Sequence, residues 1–138
     1  MDHVGGKYDE LEPYVDFRRL YTKYEYLKPF LREVPSTETP GQNSKRRHHF
    51  PYLLPNEGQF QLFRAIIHDS YNIEVGNEDY VVGKLVPTVP SRMAYLRAIK
   101  GVLSETSDES ETRIRGLDLG CGTYAVYCLL GYAAFDWD

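Results

Sequence analysis

Residues Ile114 to Thr123 read Ile-Arg-Gly-Leu-Asp-Leu-Gly-Cys-Gly-Thr, and no other stretch constrains the fold as strongly. A short apolar strand pattern over 114–119 ends in an acidic residue, Asp118, followed closely by Gly120-Cys121-Gly122. An apolar helical pattern follows at once, from Tyr124 to Leu130. Strand, glycine turn and helix in immediate succession let a backbone approach a nucleotide-type cofactor, because glycine has no Cβ to hold the ligand off. The spacing is not the dinucleotide fingerprint, which needs a third glycine further on. The plain alternative for Asp118, Gly120 and Gly122 is a tight turn joining a strand to a helix.

A doubly wound sheet needs several further βα units after such a loop, each βαβ unit taking roughly 30 residues. Sixteen residues follow Gly122. The chain therefore reads as the front portion of an enzyme, with fold class α/β, cut after the first core strand and helix. On that reading the 114–119 strand lacks parallel neighbours on both edges, and the helix beyond it leaves Val126, Leu129 and Leu130 uncovered.

Charge narrows the partners. Twenty acidic against 16 basic residues give a net charge of −4, so the whole chain is not an electrostatic nucleic-acid binder. Basic charge is local instead, at Lys45-Arg46-Arg47 followed by His48-His49, and at Arg18, Arg19 and Lys23. The first cluster sits in a polar run from Pro35 to His49 and reads either as a contact for RNA phosphates or as a solvated loop. Cys121 and Cys128 are seven apart with no histidine beside them, and His48 and His49 have no thiol or carboxylate partner at ligand spacing, so no metal site is expected. No signal peptide or spanning run is visible, and a nuclear or cytoplasmic location is expected.

Apolar spacing predicts a helix within 14–30, with Phe17, Leu20, Tyr21, Tyr24 and Leu27 on its stripe and Pro29 ending or kinking it. Phe50 to Leu54 has the composition of a short strand. A second helix is predicted over 57–71 with Phe60, Phe63, Ile66 and Ile67 inward. A third spans 91–103, with Ser91 as its N-cap and Tyr95, Leu96, Ile99 and Leu103 as its buried row. An acidic connector over 104–112 precedes the strand. Arg92 stands beside a helix N-terminus, where the helix dipole disfavours a cation, so it should have a local partner or be a solvated arginine. Pro87 and Pro90 serve as element boundaries. Residues 1–85 thus form a mostly helical module, and 86–138 begin a second domain.

Pro87-Thr88-Val89-Pro90-Ser91-Arg92-Met93-Ala94-Tyr95, followed after a helix by Arg115-Gly116-Leu117-Asp118-Leu119-Gly120-Cys121-Gly122, resembles the family of RNA adenine N6-methyltransferases that includes methyltransferase-like protein sixteen and RlmF. Asp-x-Gly-x-Gly-Thr by itself is similar to the first motif of S-adenosylmethionine-dependent methyltransferases at large, whereas Pro-Thr-Val-Pro-x-Arg is far more specific. Asp16-Phe17, Leu20, Tyr24 and Leu27-Lys28-Pro29-Phe30 extend the likeness upstream.

The resemblance implies a class I, Rossmann-like S-adenosylmethionine-dependent fold behind a helical N-terminal module. It implies cofactor contacts from Arg92, Asp118, Gly120, Cys121, Gly122 and Thr123, with Arg92 reaching the cofactor carboxylate. RNA contacts would come from Lys7, Lys45, Arg46 and Arg47, and the substrate would be structured RNA of the U6 small nuclear or 23S ribosomal type. A related branch of the family methylates small amines, and a fragment kept for interaction rather than catalysis is a further reading. The family's Asn-Pro-Pro-Phe catalytic motif does not occur in this sequence. Cys121 replaces the usual Thr, Ala94 the usual Asn, and Tyr124 stands where a small residue is common.

Overall fold

A computed structural model describes residues 15–34, 47–49, 54–106 and 114–138. The elements are α1 (Phe17–Lys23), a 3-10 helix (Glu25–Phe30), β1 (Arg32–Val34), β2 (Arg47–His49), α2 (Asn56–Tyr71), a 3-10 turn (Asn77–Asp79), α3 (Val89–Thr106) and α4 (Val126–Phe135). Lys7, Lys45, Arg46, most of the expected 50–54 strand and most of the acidic connector lie outside the described residues. Among the described residues, no helix is long and apolar enough to cross a membrane.

The predicted first helix breaks in two. Asp16 caps α1 by accepting the Arg19 amide at 2.9 Å, but the helix ends at Lys23 because Tyr24 is extended (φ −111°). The chain resumes as a 3-10 helix with Pro29 inside it. Proline is tolerated there because so short a 3-10 segment needs few internal N–H donors. β1 and β2 then pair antiparallel, with Arg32 opposite His49 and Val34 opposite Arg47. The end of the expected polar loop, Arg47–His49, is therefore a strand.

Helix α2 organises the rest. Phe60, Phe63, Ile66 and Ile67 are all buried, as their spacing predicts. Its C-cap Asn72 is left-handed (φ 54°), a conformation asparagine tolerates, and its amide reaches the His68 and Ile67 carbonyls. A polar row on the same helix staples the returning segment 75–84. The Arg64 Nε donates to the Val75 carbonyl at 2.7 Å, and the Gln61 amide donates to the Asn77 side chain at 2.6 Å. Asn56 donates to the Lys84 carbonyl at 2.8 Å and accepts from the Tyr80 hydroxyl and the Gly83 amide. Those bonds deliver Pro87-Thr88-Val89-Pro90 to the start of α3.

α3 begins two residues earlier than expected. Ser91 lies inside its first turn, donating to the Thr88 carbonyl at 3.0 Å, rather than capping it. Its buried row is Val89, Met93 and Leu96, while Tyr95 is 55% exposed. The row is set by α2 and α4, which both pack near the α3 N-terminal half. α4 corrects a second expectation, since Val126 and Leu130 are buried at 5% and 0% exposure. They belong to one continuous core with Phe60, Phe63, Met93 and Leu20.

The 114–119 strand is the largest departure. Among the described residues the segment belongs to no sheet, because a strand is defined by hydrogen-bonded neighbours and only its start, at Ile114 and Gly116, has one. Leu117 and Leu119 are 85% and 84% exposed. One interaction does have parallel geometry. The Asp138 amide donates to the Ile114 carbonyl at 3.0 Å, and the Gly116 amide donates to the Asp138 carbonyl at 2.8 Å. That pattern sets Arg115 opposite Asp138 as a parallel pair, with α4 supplying the crossover such pairing requires.

α1 is tied to α2 through Asp69, whose carboxylate receives Lys23 at 2.8 Å and Arg19 at 3.1 Å. Burial pushes the Asp69 carboxyl up, but the two cations outweigh it and leave it below the ordinary value. The bond to Asp69 likewise raises Lys23. A carboxyl whose native value is lowered stabilises fully above its unfolded value and stops doing so as pH falls through the native one. Asp69→Asn is expected to cost about 1 kcal/mol at low salt and less at high salt. The difference from wild type should vanish in urea melts run below pH 3.

Candidate functional site

The glycine turn fits what its residues demand. Gly120 and Gly122 have φ of +81° and +71°, a region L side chains rarely enter. No heavy atom lies within 4 Å of where a Cβ would stand on either one. The turn thus presents open backbone. Among the described residues, no backbone amide of Gly120–Thr123 makes an internal hydrogen bond of ordinary geometry. Cys121 is exposed, its thiol 3.7 Å from the Gly122 carbonyl, and Thr123 is exposed beside it.

Asp118 stands at the entrance to this turn. Its Oδ2 is buried and has no hydrogen-bond partner. An orphaned carboxylate oxygen is costly, and a ligand hydroxyl or amine arriving there would remove that cost. Positive-φ glycines open to a ligand, unbonded loop amides and an unpartnered carboxylate together fit a nucleoside-type cofactor.

Ala125 is also left-handed (φ 43°, ψ 41°), and α4 starts only at Val126, without a side-chain cap. The helix was expected from about Thr123; the strained alanine delays it. A non-glycine residue in that conformation costs about 1–2 kcal/mol and persists only where its surroundings hold it.

Arg92 points toward α4. Its Nη1 donates to the Tyr127 hydroxyl at 3.0 Å, and the guanidinium lies 5.6 Å from that ring's centroid. Tyr127 is the local partner a cation near this helix start required, and spacing alone did not reveal it. The arginine is thereby held against the helix that leaves the glycine turn. A cavity of about 670 Å³ lies between α3, the 114–118 segment and α4, lined mostly by apolar side chains such as Leu96, Ile99, Ile114 and Trp137. Asp118 borders this cavity, whereas Gly120, Gly122 and Arg92 do not. The turn and the cavity are therefore separate features that meet at Asp118.

Arg47 is in β2, and Lys7, Lys45 and Arg46 lie outside the described residues. Sequence reasoning gave Tyr124 no role in the site. Its ring packs on Phe60 and Phe63, with centroids 5.6 and 5.3 Å away.

Comparison with known proteins gives the family. A family model described as RNA methyltransferase matches residues 12–138. The U6 small nuclear RNA (adenine-(43)-N(6))-methyltransferase of Schizosaccharomyces pombe is 37% identical over 78 residues, covering 56% of this chain and 20% of that protein. Human RNA N(6)-adenosine-methyltransferase METTL16 is 32% identical over 135 residues, 98% of this chain and 21% of that protein. The crystal structure of the N-terminal domain of human METTL16 in complex with SAH superposes with a TM-score of 0.69 at 23% identity. That superposition covers 98% of this chain and 46% of the other, and shows the shared fold. The human METTL16 catalytic domain in complex with the MAT2A 3′UTR hairpin 6 gives 0.68 over 89% of this chain and 37% of that one. The curated relatives are much longer than this chain, which spans 20% to 35% of their length. A family match over nearly the whole sequence, on a shared methyltransferase-domain fold, makes this chain a member of the RNA methyltransferase family.

Proposed function

We propose that this chain forms the cofactor-binding front of an S-adenosylmethionine-dependent methyltransferase that modifies the N6 amine of adenine in structured RNA. The observation that carries this reading is the buried, unpartnered Asp118 oxygen at the entrance to a glycine turn with open backbone. The names of the relatives support the choice of RNA adenine as substrate, and the SAH and RNA-hairpin complexes of human METTL16 support cofactor and partner. Residues 86–138 would begin the methyltransferase domain, and residues 1–85 would be its N-terminal helical module.

S-adenosylmethionine supplies an electrophilic methyl group on a sulfonium. In this reading Gly120 and Gly122 let the backbone lie against the ligand, with the amides of Cys121 and Thr123 facing it. Asp118 accepts a hydrogen bond from a ligand hydroxyl or amine. Arg92, braced on Tyr127, offers its remaining N–H groups to the ligand's carboxylate, a pairing stronger than a neutral one. The adenine amine is a poor nucleophile because its lone pair is delocalised into the ring, so the base must be lifted from its stack and held in line with the methyl group. That clamp is the role of the Asn-Pro-Pro-Phe motif, which this sequence does not contain. No catalytic residue is assigned within it. Lys7, Lys45, Arg46 and Arg47 would meet RNA phosphates, giving affinity that falls with salt.

Titration of the 138-residue chain with S-adenosylhomocysteine should shift the amide resonances of residues 118–123 and the side chain of Arg92. Labelled cofactor and a structured RNA should show no methyl transfer by this chain alone. Unchanged loop resonances at millimolar ligand would overturn the cofactor reading, and protein-dependent transfer would overturn the assignment of catalysis to a motif outside this sequence.

Gly122→Val forces a β-branched residue to a φ of +71° and fills the open space above the turn. S-adenosylhomocysteine affinity should fall by about tenfold or more, with α2 still protected from hydrogen exchange. Equal affinity, measured calorimetrically, would reduce the turn to a plain connector.

A further inference from the structure

We propose that Tyr124 is a positioning residue for the cofactor turn, fixing residues 120–125 to α2. The idea rests on the turn being the cofactor site, although its mechanical part stands independently. Among the described residues the amides of Gly120–Thr123 make no hydrogen bond of ordinary geometry, yet Ala125 beside them is held in a strained left-handed conformation. Something must over-determine that backbone. Val126, at 5% exposure, anchors the helical side. On the turn side the anchor is Tyr124, whose ring packs against both Phe60 and Phe63, themselves 0% and 2% exposed and with ring centroids 6.4 Å apart.

The hydroxyl end makes a second attachment. The Val81 backbone amide donates to the Tyr124 hydroxyl at 3.3 Å. Val81 belongs to the segment that Asn56, Gln61 and Arg64 staple to α2, and its neighbour Tyr80 stacks on Phe60 at 5.2 Å. Ring and hydroxyl thus reach the same helix by two routes, one apolar and direct, the other polar and through the stapled segment. A small side chain at position 124 could make neither contact. Ring and hydroxyl together set the turn's geometry from the α2 side.

Three readouts on the full 138-residue chain test the proposal. Backbone order parameters of residues 120–125 should be about 0.85 in the wild type and drop below about 0.6 in Tyr124→Ala, with α2 amides still protected from exchange. Tyr124→Phe keeps the ring and loses the acceptor. It should leave the turn ordered while the Val81 amide exchanges about tenfold faster. S-adenosylhomocysteine affinity should fall in Tyr124→Ala and be largely retained in Tyr124→Phe.

An ordered turn in a folded Tyr124→Ala protein overturns the positioning role. If Tyr124→Ala loses α2 protection as well, Tyr124→Phe decides, and unchanged Val81 exchange there overturns the two-route attachment. A turn that loosens in Tyr124→Ala while the wild type binds no S-adenosylhomocysteine upholds the brace and removes the cofactor reading alone.

Discussion

The structure depends on α2 having two kinds of side chain on adjacent rows. Phe60, Phe63, Ile66 and Ile67 build the centre of the core, each stabilising by about 1.5–3 kcal/mol on burial. Beside them Asn56, Gln61 and Arg64 hold segment 75–84 through hydrogen bonds that individually contribute about 1 kcal/mol. The apolar row supplies the greater energy, and the polar row supplies direction. Without the staples, nothing local would bring Pro87-Thr88-Val89-Pro90 to the place where α3 starts. α2 therefore sets the position of Arg92, which reaches α4, although it touches neither Arg92 nor Asp118 directly.

Hydrogen bonding at 114–119 follows a different logic. Strand-forming residues without a ladder leave their N–H and C=O groups to water. Arg115 and Asp138 form a parallel pair at the start of this segment. Leu117 and Leu119, both more than four-fifths exposed, mark apolar surface that a sheet packed between helices would bury.

The functional elements concentrate where these two regimes meet. Positive-φ glycines, a left-handed alanine and a carboxylate oxygen without a partner fall within eight residues, 118–125. The alanine and the carboxylate are unfavourable in isolation. They are tolerated because Val126 is buried in the core and Tyr124 packs against it. Strain at a binding turn is then a cost carried by α2 and α4, both well away from the ligand space.

Much of this was readable in the sequence wherever the controlling physics is local. The 3.6-residue spacing of Phe60, Phe63 and Ile67 marks α2 and its inward face, and Gly120 and Gly122 stand where backbone angles exclude other residues. Pro-Thr-Val-Pro-x-Arg ahead of that turn was enough to point to the family. Long-range packing decided the rest. Arg47–His49 is a strand only because Arg32–Val34 lies beside it. Met93 enters the shared core while Tyr95 packs on Tyr127 of α4 at its exposed edge, and α4 begins at Val126 because Ala125 is held left-handed. The partner of Arg92 and the anchor of the glycine turn are Tyr127 and Tyr124, two aromatic residues whose spacing says only that they belong on a helix or in a core. Contacts across 35 residues, from Arg92 to Tyr127, and across 43, from Val81 to Tyr124, leave no trace in local periodicity, so only the folded chain assigns them.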